Sequence, residues 1–232
     1  NGAGDDTILI QNAIDQVSAL TPGPNGFRGA VLLEAGEYEV GSTLNINASG
    51  VVIRGAGQQD NGGTRITYTA TTQSDLFFFN GSSGPSGGTD DQTITDAYVP
   101  VGSKTLNIAD AAAYAPGDLI RITNLVNQQW IDDIGMNLVN PAWEPSAFEL
   151  EHLRYVVGKN GNELTLDAPI VQAIETQYGG GKVERMTYTG ALEQVGIENI
   201  RLESTFSSDT DEDHGWVAVR MHRVVNGWVR QV

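Results

Sequence analysis

The densest run of chemistry-bearing side chains in this sequence is Ser207-Ser208-Asp209-Thr210-Asp211-Glu212-Asp213-His214. Asp209, Asp211 and Glu212 offer the hard oxygen ligands that Ca²⁺ takes. Their spacing departs from the EF-hand loop, which needs a glycine and a distal glutamate at set positions. Asp213 and His214 bring a carboxylate and an imidazole side by side, and an imidazole gives or takes a proton near neutral pH. Arg220, His222 and Arg223 follow at once. In a strand, Arg220 and His222 share one face, which sets a fixed cation beside a titratable base. The plain alternative is a solvated acidic loop and an outward-facing pair in water. Trp130 and Trp143 lie among Asp132, Asp133 and Glu144, where an indole face either stacks on a ring or packs. Trp216 and Trp228 read as strand packing. His152, between Glu151 and Arg154, has no motif spacing and reads as structural. Gly179-Gly180-Gly181-Lys182 lacks the spacing of a phosphate loop and reads as a linker.

These residues must be held by short elements. Asp5, Asp6 and Thr7 are N-cap candidates for a helix with Ile10, Ala13, Ile14 and Val17 along one stripe. Thr21-Pro22-Gly23-Pro24 stops it near Leu20. Strands are expected at 30–34, 35–40, 44–46, 51–53, 66–68 and 76–79. The corners between them are Gly41-Ser42, Asn47-Ala48-Ser49-Gly50 and Gly55-Ala56-Gly57, where Gly and Asn tolerate left-handed backbone. Short strands with such corners fit a solenoid, in which each strand pairs with its equivalents in neighbouring coils. From Asp96 the texture changes to a small β module, with a hairpin over 153–166 turning at Asn160-Gly161. Strands resume at 195–202, 216–221 and 227–232, and Gly196, Gly227 and Gly50 look equivalent. The expected organisation is 1–95 for the helix and first coils, 96–173 for the insert, and 174–232 for resumed coils.

Composition agrees. Of 232 residues, 40% are hydrophobic and 18% charged, so the chain is globular rather than disordered. The 28 glycines and 7% aromatics suit many tight turns and suit a helical bundle poorly. A net charge of −16 repels nucleic acid and anionic membranes. The absence of cysteine excludes disulfides, thiol catalysis and Cys-based metal sites. No apolar run reaches the length of a membrane-spanning helix.

The segment Gly2-Ala3-Gly4-Asp5-Asp6-Thr7, then Ile10-Gln11-Asn12-Ala13-Ile14-Asp15, resembles the N-terminal signature of the pectate-lyase-like superfamily. In that family it forms the helix that caps a right-handed parallel β-helix. Val31-Leu32-Leu33-Glu34-Ala35-Gly36-Glu37-Tyr38 is similar to the strand-turn-strand that follows, though Glu34-Ala35 replaces the Leu-Pro common there. Ser49-Gly50-Val51-Val52-Ile53-Arg54-Gly55-Ala56-Gly57 is similar to the next coil. The resemblance implies an all-β fold: a right-handed parallel β-helix with an N-terminal capping α-helix and a small inserted β module. It implies a secreted or cell-surface protein that engages polysaccharide, as a lyase or glycoside hydrolase acting on an acidic chain. His214, His222, Arg220 and Asp213 would then be catalytic, Arg223, Trp130 and Trp143 would bind substrate, and Asp209, Asp211 and Glu212 could hold Ca²⁺. The rival reading is a non-catalytic glycan-binding surface, fibre or tailspike-like protein. Because the chain begins inside a motif and ends as a strand begins, a longer protein is expected, with an upstream segment and with further coils that could hold the cleft.

Overall fold

The computed structural model describes residues 4–232, with backbone only at Ser146. Asn1, Gly2 and Ala3, which open the helix signature, lie outside the described residues. The chain divides into two compact units, one of residues up to Gly84 and from Thr189 onward, the other Pro85–Tyr188.

The first unit opens with α1 (Thr7–Ser18). Asp6 is the N-cap residue but makes no side-chain cap bond. Asp5 takes that role, accepting from the Thr7 backbone N–H at 2.9 Å, from the Thr7 hydroxyl and from the Gly41 N–H. Ile10 and Ile14 are buried, and Ala13 and Val17 pack on the same core, so the expected stripe is the face that docks. Six strands follow: β1 (Gly29–Leu32), β2 (Gly36–Val40), β3 (Leu44–Ile46), β4 (Val51–Gly57), β5 (Thr64–Tyr68) and β6 (Ser74–Asn80).

The second unit holds β7 (Ser86–Thr93), β8 (Tyr98–Val99), β9 (Thr105–Asn107), β10 (Leu119–Asn124), α2 (Gln128–Asp133), β11 (Leu150–Asn160), β12 (Glu163–Leu166), β13 (Ile174–Glu175) and β14 (Gly181–Thr187). Five of its strands, with β9, form one antiparallel sheet in the order β7-β14-β10-β11-β12-β9. An antiparallel bridge between Ile94 and Ile108 joins the two outermost strands. The Ala109 N–H donates to the Thr93 carbonyl at 3.0 Å and the Thr95 N–H to the Asn107 carbonyl at 2.9 Å. The sheet therefore closes on itself as a small barrel. Ile120, Ile122, Val156, Leu164, Leu166 and Val183 fill its interior, with Tyr114 donating to the Asp90 and Val183 carbonyls. Burial pushes the Tyr114 phenol up to about 12, with Asp90 and Asp91 adding to the effect. The unit is wider on both sides than the stretch 96–173, because β7 and β14 complete its sheet.

The first unit resumes with β15 (Leu192–Glu193), β16 (Gly196–Ser204), β17 (Gly215–His222), β18 (Val224–Val225) and β19 (Trp228–Arg230). All its ladders are parallel. β1, β4, the first half of β16 and β19 form one stack. β2, β5 and the second half of β16 form another. β3, β6 and β17 form a third. The chain thus visits three stacks in order on each pass, and Val31, Val40, Ile46, Ile53, Ile66, Phe77, Phe79 and Ile197 fill the space between them. The mostly β architecture with parallel sheets matches expectation. Two local readings differ. Gly55-Ala56-Gly57 continues β4 instead of turning, and a Cβ at Gly55 would lie 2.4 Å from the Asn199 carbonyl oxygen of the neighbouring strand. Gly196 stands opposite Val52 and Trp228, not opposite Gly227, so the repeat is one residue longer than the glycines suggest. No helix is long and apolar enough to cross a membrane among the described residues.

Candidate functional site

In the second unit, α2 is fixed by its own cap. The Asn127 side chain accepts from the Trp130 N–H at 3.1 Å and donates to the Gln177 carbonyl at 2.8 Å. Ile131 is fully buried and anchors the helix, which leaves Trp130 half-exposed beside it. The Trp143 N–H donates to the Met136 carbonyl at 3.1 Å. The two indoles that the sequence singled out come together: their ring centres are 6.5 Å apart at 32°. Phe148 extends the row, stacked on Trp143 at 3.8 Å and 10°. Trp130 borders a cavity of about 110 Å³ with Asn124, Gln172, Glu175 and Tyr178. Trp143 and Phe148 border an open groove of about 520 Å³ with Asn140, Pro141 and Glu144. The Tyr178 hydroxyl donates to Asp133 at 3.0 Å, and that bond raises its pKa. Aromatic faces ringed by amides, hydroxyls and carboxylates suit a ligand with flat apolar faces and many hydroxyls.

The same unit holds a charge network that closes on itself. Glu184 is buried and receives Arg121 Nε at 2.7 Å and Lys182 Nζ at 3.1 Å. Burial raises the Glu184 carboxyl, but Arg121 and Lys182 outweigh it and hold it below its ordinary value. Asp91 is raised by its hydrogen bond to Glu184. His152 is lowered by burial and by Arg154, and its Nε2 has no hydrogen-bond partner among the described residues.

In the first unit, β17 alternates. Val217, Val219 and Met221 turn toward the core while Trp216, Ala218, Arg220 and His222 are exposed. Arg220 Nε lies 3.0 Å from Asp75 and its guanidinium sits 5.9 Å over the Phe78 ring. His222 lies nearly parallel to Phe78, 6.4 Å away at 9°. Arg220 and His222 therefore share one aromatic neighbour on one outer face. Arg223 does not join them. It occupies a left-handed corner with φ 58°, and its guanidinium donates to the Gly81 and Ser82 carbonyls.

The loop before β17 is tied internally. Asp211 accepts from the Ser207 N–H and hydroxyl, each at 2.7 Å, and from the Asp213 N–H at 2.9 Å; these bonds, the Ser207 N–H first, hold its carboxyl below the ordinary range. Asp209, Glu212 and Asp213 are exposed. No three Asp, Glu or His side chains converge as a metal site among the described residues. As they stand these carboxylates do not fit Ca²⁺, and no role for the ion follows. His214 Nδ1 is 2.9 Å from the Gly215 carbonyl oxygen, and its ring lies 6.1 Å from Phe206. Along an extended strand His214 and His222 are roughly 25 Å apart, too far to act on one bond.

No protein-family model and no curated protein matches this chain. Among solved structures it is similar to the tailspike of Acinetobacter baumannii bacteriophage AP22 in complex with A. baumannii capsular saccharide, with 12% identity, a TM-score of 0.43, and coverage of 97% of this chain and 34% of that one. It is also similar to the tailspike of Pseudomonas phage LKA1 at 15% identity and a TM-score of 0.37, covering 83% of this chain and 27% of that one. The tailspike of Pseudomonas phage phi297 gives 14%, 0.31, 83% and 29%. The chain spans about a third of these tailspikes' length. At that distance the likeness decides neither fold nor function.

Two residues of these surfaces escaped the sequence reading. Phe148 joins the indole row only because the chain folds back after the Pro145–Ala147 3₁₀ turn. Phe78 sits in a run of three phenylalanines within the strand expected at 76–79. The run's alternation, with Phe77 and Phe79 inside and Phe78 outside, was the available signal.

Proposed function

We propose that the chain is part of a right-handed parallel β-helix protein that works outside the cell and binds polysaccharide. The glycan lies along the aromatic row of the inserted barrel. The observation that carries this is the line Trp130, Trp143 and Phe148, which runs from a polar-lined cavity to an open groove. Sugar rings offer apolar faces to stack on such rings, and their hydroxyls meet Gln172, Glu175 and Asn140. The test is affinity electrophoresis and calorimetry on a panel of capsular and plant polysaccharides. Trp143→Ala is expected to weaken binding about tenfold or more, as for a central aromatic contact. Unchanged affinity in Trp143→Ala and Trp130→Ala would sink the proposal.

A second reading, cleavage of an acidic polysaccharide, is favoured by Arg220 and His222 over Phe78. Those groups bring a cation for a uronate carboxylate and an imidazole for the adjacent proton onto one face. It requires new reducing ends, or the ultraviolet absorbance of unsaturated uronate, with wild type and their loss in His222→Ala.

A further inference from the structure

Across three neighbouring strands of the first unit, Arg54, Glu198 and Arg230 stand in direct register. Glu198 is only 2% exposed, whereas the side chains of Arg54 and Arg230 are 49% and 63% exposed. Arg54 Nε reaches one carboxylate oxygen at 2.6 Å. Arg230 Nη2 reaches the other at 2.7 Å, and the Trp228 indole N–H donates to it at 3.1 Å. The buried carboxylate thus orients two guanidiniums and an indole at once. It neutralises only one of the two cations. Among the described residues, the only hydrogen bond from the Arg54 guanidinium is its Nε to Glu198, and the only one from Arg230 is its Nη2, which leaves both terminal nitrogens of Arg54 and Nε and Nη1 of Arg230 as open donors. A local surplus of positive charge with free donors, on a chain of net charge −16, marks a place where an anion is welcome.

Two further features define the anion's carrier. Trp228 lies on Gly196, where a Cβ would come within 2.2 Å of the indole, and it remains half-exposed with Phe27 edge-on at 6.1 Å. At the other end, Asn199 and Gln231, each next in sequence to a member of the triad, line a cavity of about 320 Å³ with Gln58 and Gln59. From Trp228 to Gln231 the extended backbone covers about 10 Å. An aromatic face, a guanidinium pair and a carboxamide pocket follow one another over that distance.

We propose that this strip is a binding site for an acidic sugar. Its carboxylate is held by Arg54 and Arg230, its ring lies on Trp228, and its hydroxyls meet the carboxamides. The site stands on its own geometry and holds whether or not the barrel's aromatic row binds glycan. The test is calorimetric titration of the full chain carrying Trp143→Ala, so that binding at the barrel groove is weakened. The probes are oligogalacturonate, a neutral glucan oligomer of equal length, and inorganic sulfate.

Oligogalacturonate is expected to bind, to weaken as salt rises, and to lose about tenfold in affinity in Arg230→Gln. That variant leaves Arg54 on Glu198, and thermal melting checks that it folds. Trp228→Phe keeps the packing on Gly196 and is expected to weaken the oligouronate more than sulfate. The proposal is overturned by no oligouronate binding, by equal binding of the neutral oligomer, or by sulfate binding as tightly as the oligouronate. It is overturned too if folded Arg230→Gln and Trp228→Phe both bind as the parent does.

Discussion

Glu198 shows how one buried carboxylate can both stabilise and display. Burial pushes its pKa up, but Arg54, Trp228 and Arg230 outweigh burial and hold it below the ordinary value. A depressed carboxylate contributes stability that is fully present above its unfolded pKa and is lost as pH falls through the folded one. The thermal midpoint is therefore expected to be flat near neutrality and to fall on acidification below the usual glutamate range. In Glu198→Gln, the midpoint at neutral pH should drop by the equivalent of about 1–3 kcal/mol, since hydrogen bonds to a charged group are lost. The acid-induced decline should become shallower. A series of melts over pH measures both, and an unchanged acid slope in the variant would remove Glu198 from the account.

Among the elements, α1 is where sequence and structure agree best. Its stripe was legible because a period of 3.6 over twelve residues leaves few alternatives. The same stripe makes a prediction. Ile14 is fully buried, so Ile14→Ala should cost about 2–5 kcal/mol in urea denaturation. Leu9, 64% exposed on the same helix, should tolerate alanine with little change. The short strands were legible from their corners, but their ladders were not. Glu198 meets Arg54 across 144 residues, and nothing local to either residue names the other. The barrel was harder still. Its closure depends on Ile94 and Ile108, two residues outside the regular strands, and on β7, whose Ser-Gly-Gly-Thr-Asp-Asp sequence carries no apolar alternation. The arrangement of the acidic loop was not legible either. Its composition suits a metal, but Asp211 spends its oxygens on the loop's own N–H groups.

For the molecule as a whole, the insertion point matters most. Within the barrel, Ser86 pairs with Thr187, so its first and last strands run side by side. Within the parallel unit, Gly190 lies against Ser83, where a Cβ would come within 2.0 Å of the serine hydroxyl. Each unit thus brings the two junctions together by itself. Replacing Pro85–Tyr188 with a short Gly-Ser linker should leave a protein with a β-type circular dichroism spectrum and one cooperative melt. Residues 85–188 expressed alone should show the same. A non-cooperative melt in either would mean that the units are not independent folding bodies. The adjacency of Ser86 and Thr187 also has a consequence for the order of events. While the barrel is unfolded, β6 and β15 are joined by a free loop of about a hundred residues, and closing such a loop costs roughly 4 kcal/mol of chain entropy. Once the barrel has folded, that closure is already made. A mutation that loosens the barrel's core would then weaken the third pass of the parallel unit through connectivity alone.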